Sequence, residues 1–181
     1  PDSLREVYKT FRQRASFASA VSSKVVVNRP TTKTVNDTLH ADQNENKKLI
    51  CVLGAAGGGR DKWKRPEMGK IAAEYCDEII LTNEDPYCEN PDSILNEIEF
   101  GFSQFPISNF QFPKKCLKIL DRKGAIKKAI AMAQPEDVVI ITGKGIEKWI
   151  HLEHGRKIPW NEKEVVLEQL KNYFRDSQTI R

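Results

Sequence analysis

The segment Gly54-Ala-Ala-Gly-Gly-Gly-Arg60-Asp61-Lys62-Trp63-Lys64-Arg65-Pro66 joins permissive backbone to a cluster of cations. Glycines let a main chain come close to a ligand, and Arg and Lys side chains hold phosphate or carboxylate groups. An apolar run at 49–53 precedes the segment and a helical pattern follows it. Strand, glycine turn, basic cluster and helix together suit an anion. The spacing of Gly54 and Gly59 is that of a P-loop, but Arg60 and Asp61 stand where Lys and Ser/Thr belong. An Asp there repels phosphate and offers no hydroxyl to Mg²⁺, so the segment is not a P-loop. Arg60, Lys62, Lys64 and Arg65 are candidate anion ligands; a solvated basic turn is the alternative.

Two further loops carry chemistry. Thr82-Asn83-Glu84-Asp85-Pro86-Tyr87-Cys88-Glu89-Asn90-Pro91 is acidic and stiffened by two prolines, and its carboxylates could hold an amine or a metal. The alternative is a polar connection into a helix with Asn90 as its N-cap. Gly143-Lys144-Gly145-Ile146-Glu147-Lys148-Trp149 again allows close approach, and Glu147 could accept hydrogen bonds from an ammonium. Here the alternative is a glycine turn into an exposed hairpin. His151 and His154 lie in a charged stretch and read as surface residues.

The elements that position these loops follow from hydrophobic periodicity. Apolar runs at 49–53, 78–82, 116–120 and 137–142 read as strands. Helical stripes fall between them, at Met68, Ile71, Ala72, Tyr75 and Cys76, at Ile94, Leu95, Ile98 and Phe102, and at Ala125, Ile126, Ala129, Ile130 and Ala133. A last helix over about 162–174 opens with Asn161 and Glu164 at capping-box spacing. Leu4, Val7, Tyr8 and Phe11 mark a helix over 3–12. Alternating strands and helices predict an α/β Rossmann-like three-layer domain with a mostly parallel sheet, whose ligands lie beyond the carboxyl ends of the strands. All three loops lie there. Residues 13–48 are rich in Ser, Thr, Asn and Lys and read as a mobile insertion, with a short hairpin around Val25–Val27 left open.

Composition narrows the class. A chain of 181 residues with 39% hydrophobic and 30% charged residues suits one globular domain. No apolar run approaches the roughly 18 residues a bilayer span needs, which argues against a membrane partner. The net charge of +4 is dispersed among 25 acids, which argues against nucleic acid. Cys51, Cys76, Cys88 and Cys116 lack metal-ligand spacing, so no metal site is expected and they read as reduced thiols. The chain has no initiator Met and its start has no signal-peptide character, so its numbering is expected to begin inside a longer protein.

Taken together, the motifs resemble the C-terminal domain of a Mur ligase, most closely the UDP-N-acetylmuramoyl-tripeptide synthetase type. Pro1-Asp2-Ser3-Leu4 is similar to the family's T-P-D-S-L, and the stretch from Gly58 to Gly69 to its G-G-x-R-D-K-x-K-R-P-x-M-G. Glu84-Asp85-Pro86-Tyr87 stands in the place of D-N-P-R, Gly143-Lys144-Gly145-Ile146-Glu147 in that of G-K-G-H-E, and the stretch from Ile158 to Glu164 in that of P-F-x-D-R-E. The resemblance covers 1–12 and 49–174. It implies a domain organisation in which 1–12 opens the C-terminal domain, 13–48 is an insertion and 49–181 is the α/β body.

The resemblance also implies a function. Arg60, Glu84, Asp85, Pro86, Tyr87, Gly143 and Glu147 match positions that hold the incoming amino acid, and Asp61, Lys62 and Arg65 match the segment facing the nucleotide. The family reaction uses ATP and Mg²⁺ to activate a carboxylate of a UDP-MurNAc-peptide as an acyl phosphate. An amino acid's amine then attacks to give an amide, in the cytoplasm, during peptidoglycan precursor synthesis. N-terminal and central Mur ligase domains are expected upstream to carry most of the nucleotide site, so no catalytic residue is assigned in this chain, which alone is expected to ligate nothing. The sequence departs from the pattern at Tyr87, where an Arg marks selection of meso-diaminopimelate, and at Ile146, where a His is usual. A ligase of the cyanophycin or folylpolyglutamate synthetase kind, or a non-catalytic binding module with the same fold, are the alternatives.

Overall fold

The computed structural model describes residues 2–13, 24–26, 47–59, 61–104 and 115–179. Strands β2 (Leu49–Leu53), β3 (Glu78–Leu81), β4 (Lys115–Lys118) and β5 (Val138–Ile141) form a parallel sheet, joined at one edge by an antiparallel β1 (Lys24–Val26). The spatial order is β1-β5-β2-β3-β4. Helices α2 (Lys64–Tyr75), α3 (Pro91–Phe100) and α4 (Arg122–Met132) form the crossovers; α1 (Asp2–Gln13) and α5 (Glu162–Thr179) complete the layers. Strands β6 (Trp149–His151) and β7 (Lys157–Pro159) form a separate hairpin.

The runs that predicted strands are strands because both of their faces are covered. Leu49, Cys51, Leu53, Ile79 and Leu81 pack with Tyr8, Ile71, Ile94 and Ile98 from α1, α2 and α3. Ile50, Val52, Ile80, Val139 and Ile141 pack with Ile126, Ile130 and Val166 from α4 and α5 on the opposite face. Each fully buried Ile, Leu or Val contributes about 1.5–3 kcal/mol relative to exposure. The expected α/β, mostly parallel, three-layer fold is thus present. Asn90 caps α3 by accepting from the Asp92 and Ser93 amides, and Asn161 accepts from Glu164 at the start of α5.

Two helices meet without a side-chain layer between them. A Cβ added to Gly69 of α2 would lie 1.8 Å from the Ile98 carbonyl oxygen, and one added to Gly101 would lie 2.0 Å from that of Pro66. Only glycine permits this contact of α2 with the end of α3.

One finding departs from the sequence reading. Cys51 of β2 and Cys76 at the end of α2 form a disulfide, whereas reduced thiols were expected. They are 25 positions apart in sequence, but the crossover brings their Cα atoms to 6.2 Å. Cys88 and Cys116 are free. Within the polar stretch 13–48, residues 24–26 pair with β5 and the Lys48 amide donates to Asp137. Residues 14–23 and 27–46 of the expected insertion lie outside the described residues.

Candidate functional site

The sheet order reverses between β2 and β5, because α2 and α3 carry the chain to one side of β2 and α4 carries it to the other. The carboxyl ends of the strands flanking such a reversal open into a crevice. A cleft of about 380 Å³ lies there, lined by Ala56 after β2, by Glu84, Asp85 and Tyr87 after β3, and by Glu147, Lys148, Trp149 and His151 after β5.

The first two loops are joined by backbone. The Gly57 amide donates to the Asp85 carbonyl at 2.7 Å, and Gly57 lies so close to Pro86 that a Cβ would meet its carbonyl oxygen at 2.1 Å. The second loop is then fastened to the β6–β7 hairpin. Asp85 Oδ1 accepts from the His151 amide at 2.8 Å, the Tyr87 amide donates to the His151 carbonyl at 3.2 Å, and the Tyr87 and His151 rings stack at 5.3 Å. Tyr87 is held at a φ of +49°, a left-handed conformation that is rare for a bulky residue. Strain of this kind persists only where the surroundings over-determine it, as these three contacts do.

Charge in the cleft is unevenly balanced. Lys144, 1% exposed, donates to Asp85 at 2.8 Å and to Glu147 at 2.5 Å. Burial opposes its charge, but these two acids outweigh that and raise its pKa above the ordinary lysine value. Glu84 is different. Among the described residues it makes no hydrogen bond or ion pair, and burial pushes its carboxyl above the usual range against the more distant charges of Arg122 and Lys144. Gly143 makes room for it: with a φ of +114°, it lies where a Cβ would meet Glu84 Oε2 at 3.0 Å. Among the described residues the floor therefore holds one partly desolvated carboxylate with no direct ion-pair partner, beside an Asp85–Lys144–Glu147 triad that is internally paired.

The cationic loop divides. Arg65 is 1% exposed, with its fork on Glu89, Glu97 and the Ala56 carbonyl. That guanidinium, opposed by burial and aided by the Gly59 amide and Lys62, holds the Glu89 carboxyl down at about 2. Arg65 thus supports the loop from beneath. Asp61 and Lys64 pair with each other at the surface, and Lys62 reaches Glu89 at 3.3 Å. Arg60 lies outside the described residues.

The cleft unites Glu84, Asp85, Tyr87 and Glu147, with Gly143 and Pro86 packed against its loops. Sequence reasoning left Lys144 without a role and set His151 aside as a surface residue. The signals were a lysine between two glycines after the most apolar strand, and a histidine at strand spacing from Trp149.

Comparison with known proteins places these observations. The family described as Mur ligase, glutamate ligase domain, matches residues 28–145, more than half of the chain. A UDP-N-acetylmuramoyl-L-alanyl-D-glutamate–2,6-diaminopimelate ligase of Nitrosomonas europaea is 42% identical over 123 residues, covering 68% of this chain and 22% of that protein. A ligase of the same description from Aquifex aeolicus is 38% identical over 174 residues, covering 94% of this chain and 34% of its own length. A solved structure of a protein so named superposes with a TM-score of 0.60 at 28% identity, covering 71% of this chain and 25% of the other. The chain spans only about a quarter to a third of the length of these relatives.

Proposed function

The chain belongs to the Mur ligase family, and from that premise we propose that it supplies the amino-acid pocket of an ATP-dependent ligase that extends a UDP-MurNAc-peptide in peptidoglycan precursor synthesis. The observation that carries this reading is Glu84, a half-buried carboxylate lining the cleft with no hydrogen bond or ion pair among the described residues. An ammonium is the ligand group that completes it.

The pairing selects a class of amino acid. An ammonium that remains paired with Glu84 keeps its proton and has no lone pair for attack. The nucleophile is therefore a second amine of the same molecule, so the substrate is a diamino acid. That amine attacks the activated carbonyl carbon, the phosphate leaves, and the nitrogen loses a proton to give the amide. The relatives carry 2,6-diaminopimelate in their names. Tyr87 offers no guanidinium fork to a distal carboxylate, which places lysine-like diamino acids beside diaminopimelate as substrates here. Arg60, by resemblance, takes a substrate carboxylate. Glu147 reaches the ligand as the partly exposed end of the triad, while Asp85, Pro86 and Gly143 shape the floor.

ATP and Mg²⁺, when bound, would supply the activation of the carboxylate. The described residues contain no cluster of three or more metal-binding side chains, and the glycine segment lacks the Lys-Ser/Thr pair. They do not by themselves fit a magnesium triphosphate. Asp61 and Lys62, at the loop surface, are assigned to the face that closes on the nucleotide, with Arg65 as their support.

The test uses the full-length ligase with ATP, Mg²⁺ and the nucleotide-linked dipeptide. Amide product is expected with diaminopimelate and with lysine, but not with norleucine, which lacks the second amine. The 181-residue chain alone is expected to form none. Comparable kcat/KM for norleucine and lysine would remove the reading.

A further inference from the structure

Arg122 has a role that neither the loop motifs nor the cleft lining assigns. It opens α4 directly after the Asp121 N-cap, and its side chain is 1% exposed. Its Nη1 donates to the Asn83 carbonyl at 3.1 Å and its Nη2 to the Thr142 carbonyl at 2.8 Å. Nε and Nη2 also form a fork on Glu162, which in turn accepts from Trp160 Nε1 at 2.7 Å. Asn83 immediately precedes Glu84, and Thr142 immediately precedes Gly143. One planar group therefore grips the peptide links on which the cleft carboxylate and the glycine beside it are hung.

We propose that Arg122 is a positioning residue for the cleft, fixing from behind the loops the place of the Glu84 carboxylate. Arg122 is absent from the cleft lining and its donors are engaged elsewhere, so it touches no ligand. Its fixed geometry ties the ends of β3 and β5 together across β2, which a lysine could not do with a single ammonium. It is also the cation acting most strongly on Glu84, ahead of Lys144 and against Asp85 and Glu147. Glu162 partly neutralises it, so the Arg122–Glu162 pair sets how much positive charge Glu84 experiences.

The proposal rests on the reading of Glu84 as the ammonium acceptor, but its first test needs no ligand. The Glu84 carboxyl is followed by ¹³C NMR titration in the full chain, its signal assigned through Glu84→Gln. Arg122→Gln is expected to raise the Glu84 titration midpoint. Glu162→Gln, which leaves Arg122 unneutralised, is expected to lower it. If Arg122→Gln does not fold, Glu162→Gln decides alone. A Glu84 midpoint unmoved in every folded variant overturns the proposal. In the full-length ligase, Arg122→Lys keeps the charge but loses the double carbonyl grip. It is expected to raise the KM for the amino acid about 10- to 100-fold while leaving the KM for ATP unchanged; equal changes in both would mark a merely structural residue and overturn the positioning role. If the midpoints move as expected but Glu84→Gln leaves the amino-acid KM intact, the reading of the cleft falls and Arg122's control of Glu84 stands.

Discussion

Replacing Glu84 by Gln separates function from stability, because the side chain is held against its own solvation preference. In the proposed complex the carboxylate meets an ammonium in a closed cleft. Losing one member of such a pair costs roughly 2–5 kcal/mol, or about 30-fold to several-thousand-fold in affinity. Relief of the desolvation seen in the raised carboxyl pKa offsets part of this loss, so the lower half of that range is expected. The same relief acts in the opposite sense on the free protein. A folded-state pKa above the unfolded one contributes stability below the unfolded value, and that contribution is lost as pH rises through the folded value. Above its folded value the wild-type carboxylate is thus a burden that Gln removes. The assay is steady-state kinetics of the full-length ligase with each substrate varied, beside thermal melts at neutral pH. A raised KM for the amino acid, a near-constant KM for ATP and an unchanged or higher Tm are expected. An unchanged amino-acid KM, or a Tm that falls by many degrees, would falsify the assignment of Glu84 as an unpaired acceptor.

Three further outcomes follow from other parts of the molecule. Tyr87→Arg is expected to shift the kcat/KM ratio toward diaminopimelate over lysine, since the guanidinium restores a fork for the distal carboxylate; a ratio that does not move shows that the carboxylate is held elsewhere. Gly69→Ala is expected to destabilise the domain by about 1–3 kcal/mol in denaturant titrations, despite the roughly 1 kcal/mol that Ala gains in a helix, because its Cβ has no space beside Ile98. Glu89 is held at about 2, below its unfolded value, so its stabilising contribution is present above about pH 4.5 and is lost as pH falls toward 2. Urea midpoints measured across that window should flatten in Glu89→Gln; a slope equal to wild type excludes the Arg65–Glu89 pair as its source.

The elements were legible where a local pattern suffices. Runs such as Val138–Ile141 announce buried strands because both faces are covered, and Asn90 and Asn161 act on amides two or three residues away. The place of the loops carrying Glu84, Tyr87 and Glu147 was legible because strand, turn and helix put them beyond the sheet, while the roles of these residues came only from the resemblance. What stayed hidden depends on contacts between distant segments. Nothing near Arg122 reveals that its partner is Glu162, 40 positions away, or that Lys144 is neutralised by Asp85, 59 positions earlier. Cys51 and Cys76 carry no spacing signature, since the packing of α2 on the sheet makes them neighbours. Strand β1 is only three residues long within a polar stretch, too short for a period to show.

The glycine contact between α2 and α3 bears on how the cleft can respond to a ligand. Side chains between helices act as a lubricating layer: they change rotamer and let one helix slide past its neighbour. At Gly69 and Gly101 that layer is missing, and carbonyl oxygens face bare Cα atoms. The first loop is rooted at the start of α2 and the second runs into α3, and the two are already joined at Gly57 and Asp85. They therefore travel as one block. Whatever drew the first loop inward would carry the acidic floor with it, so on the proposed reading an anion at the first loop and a cation at the second would be coupled by stiffness, with no relay of shifting side chains between them.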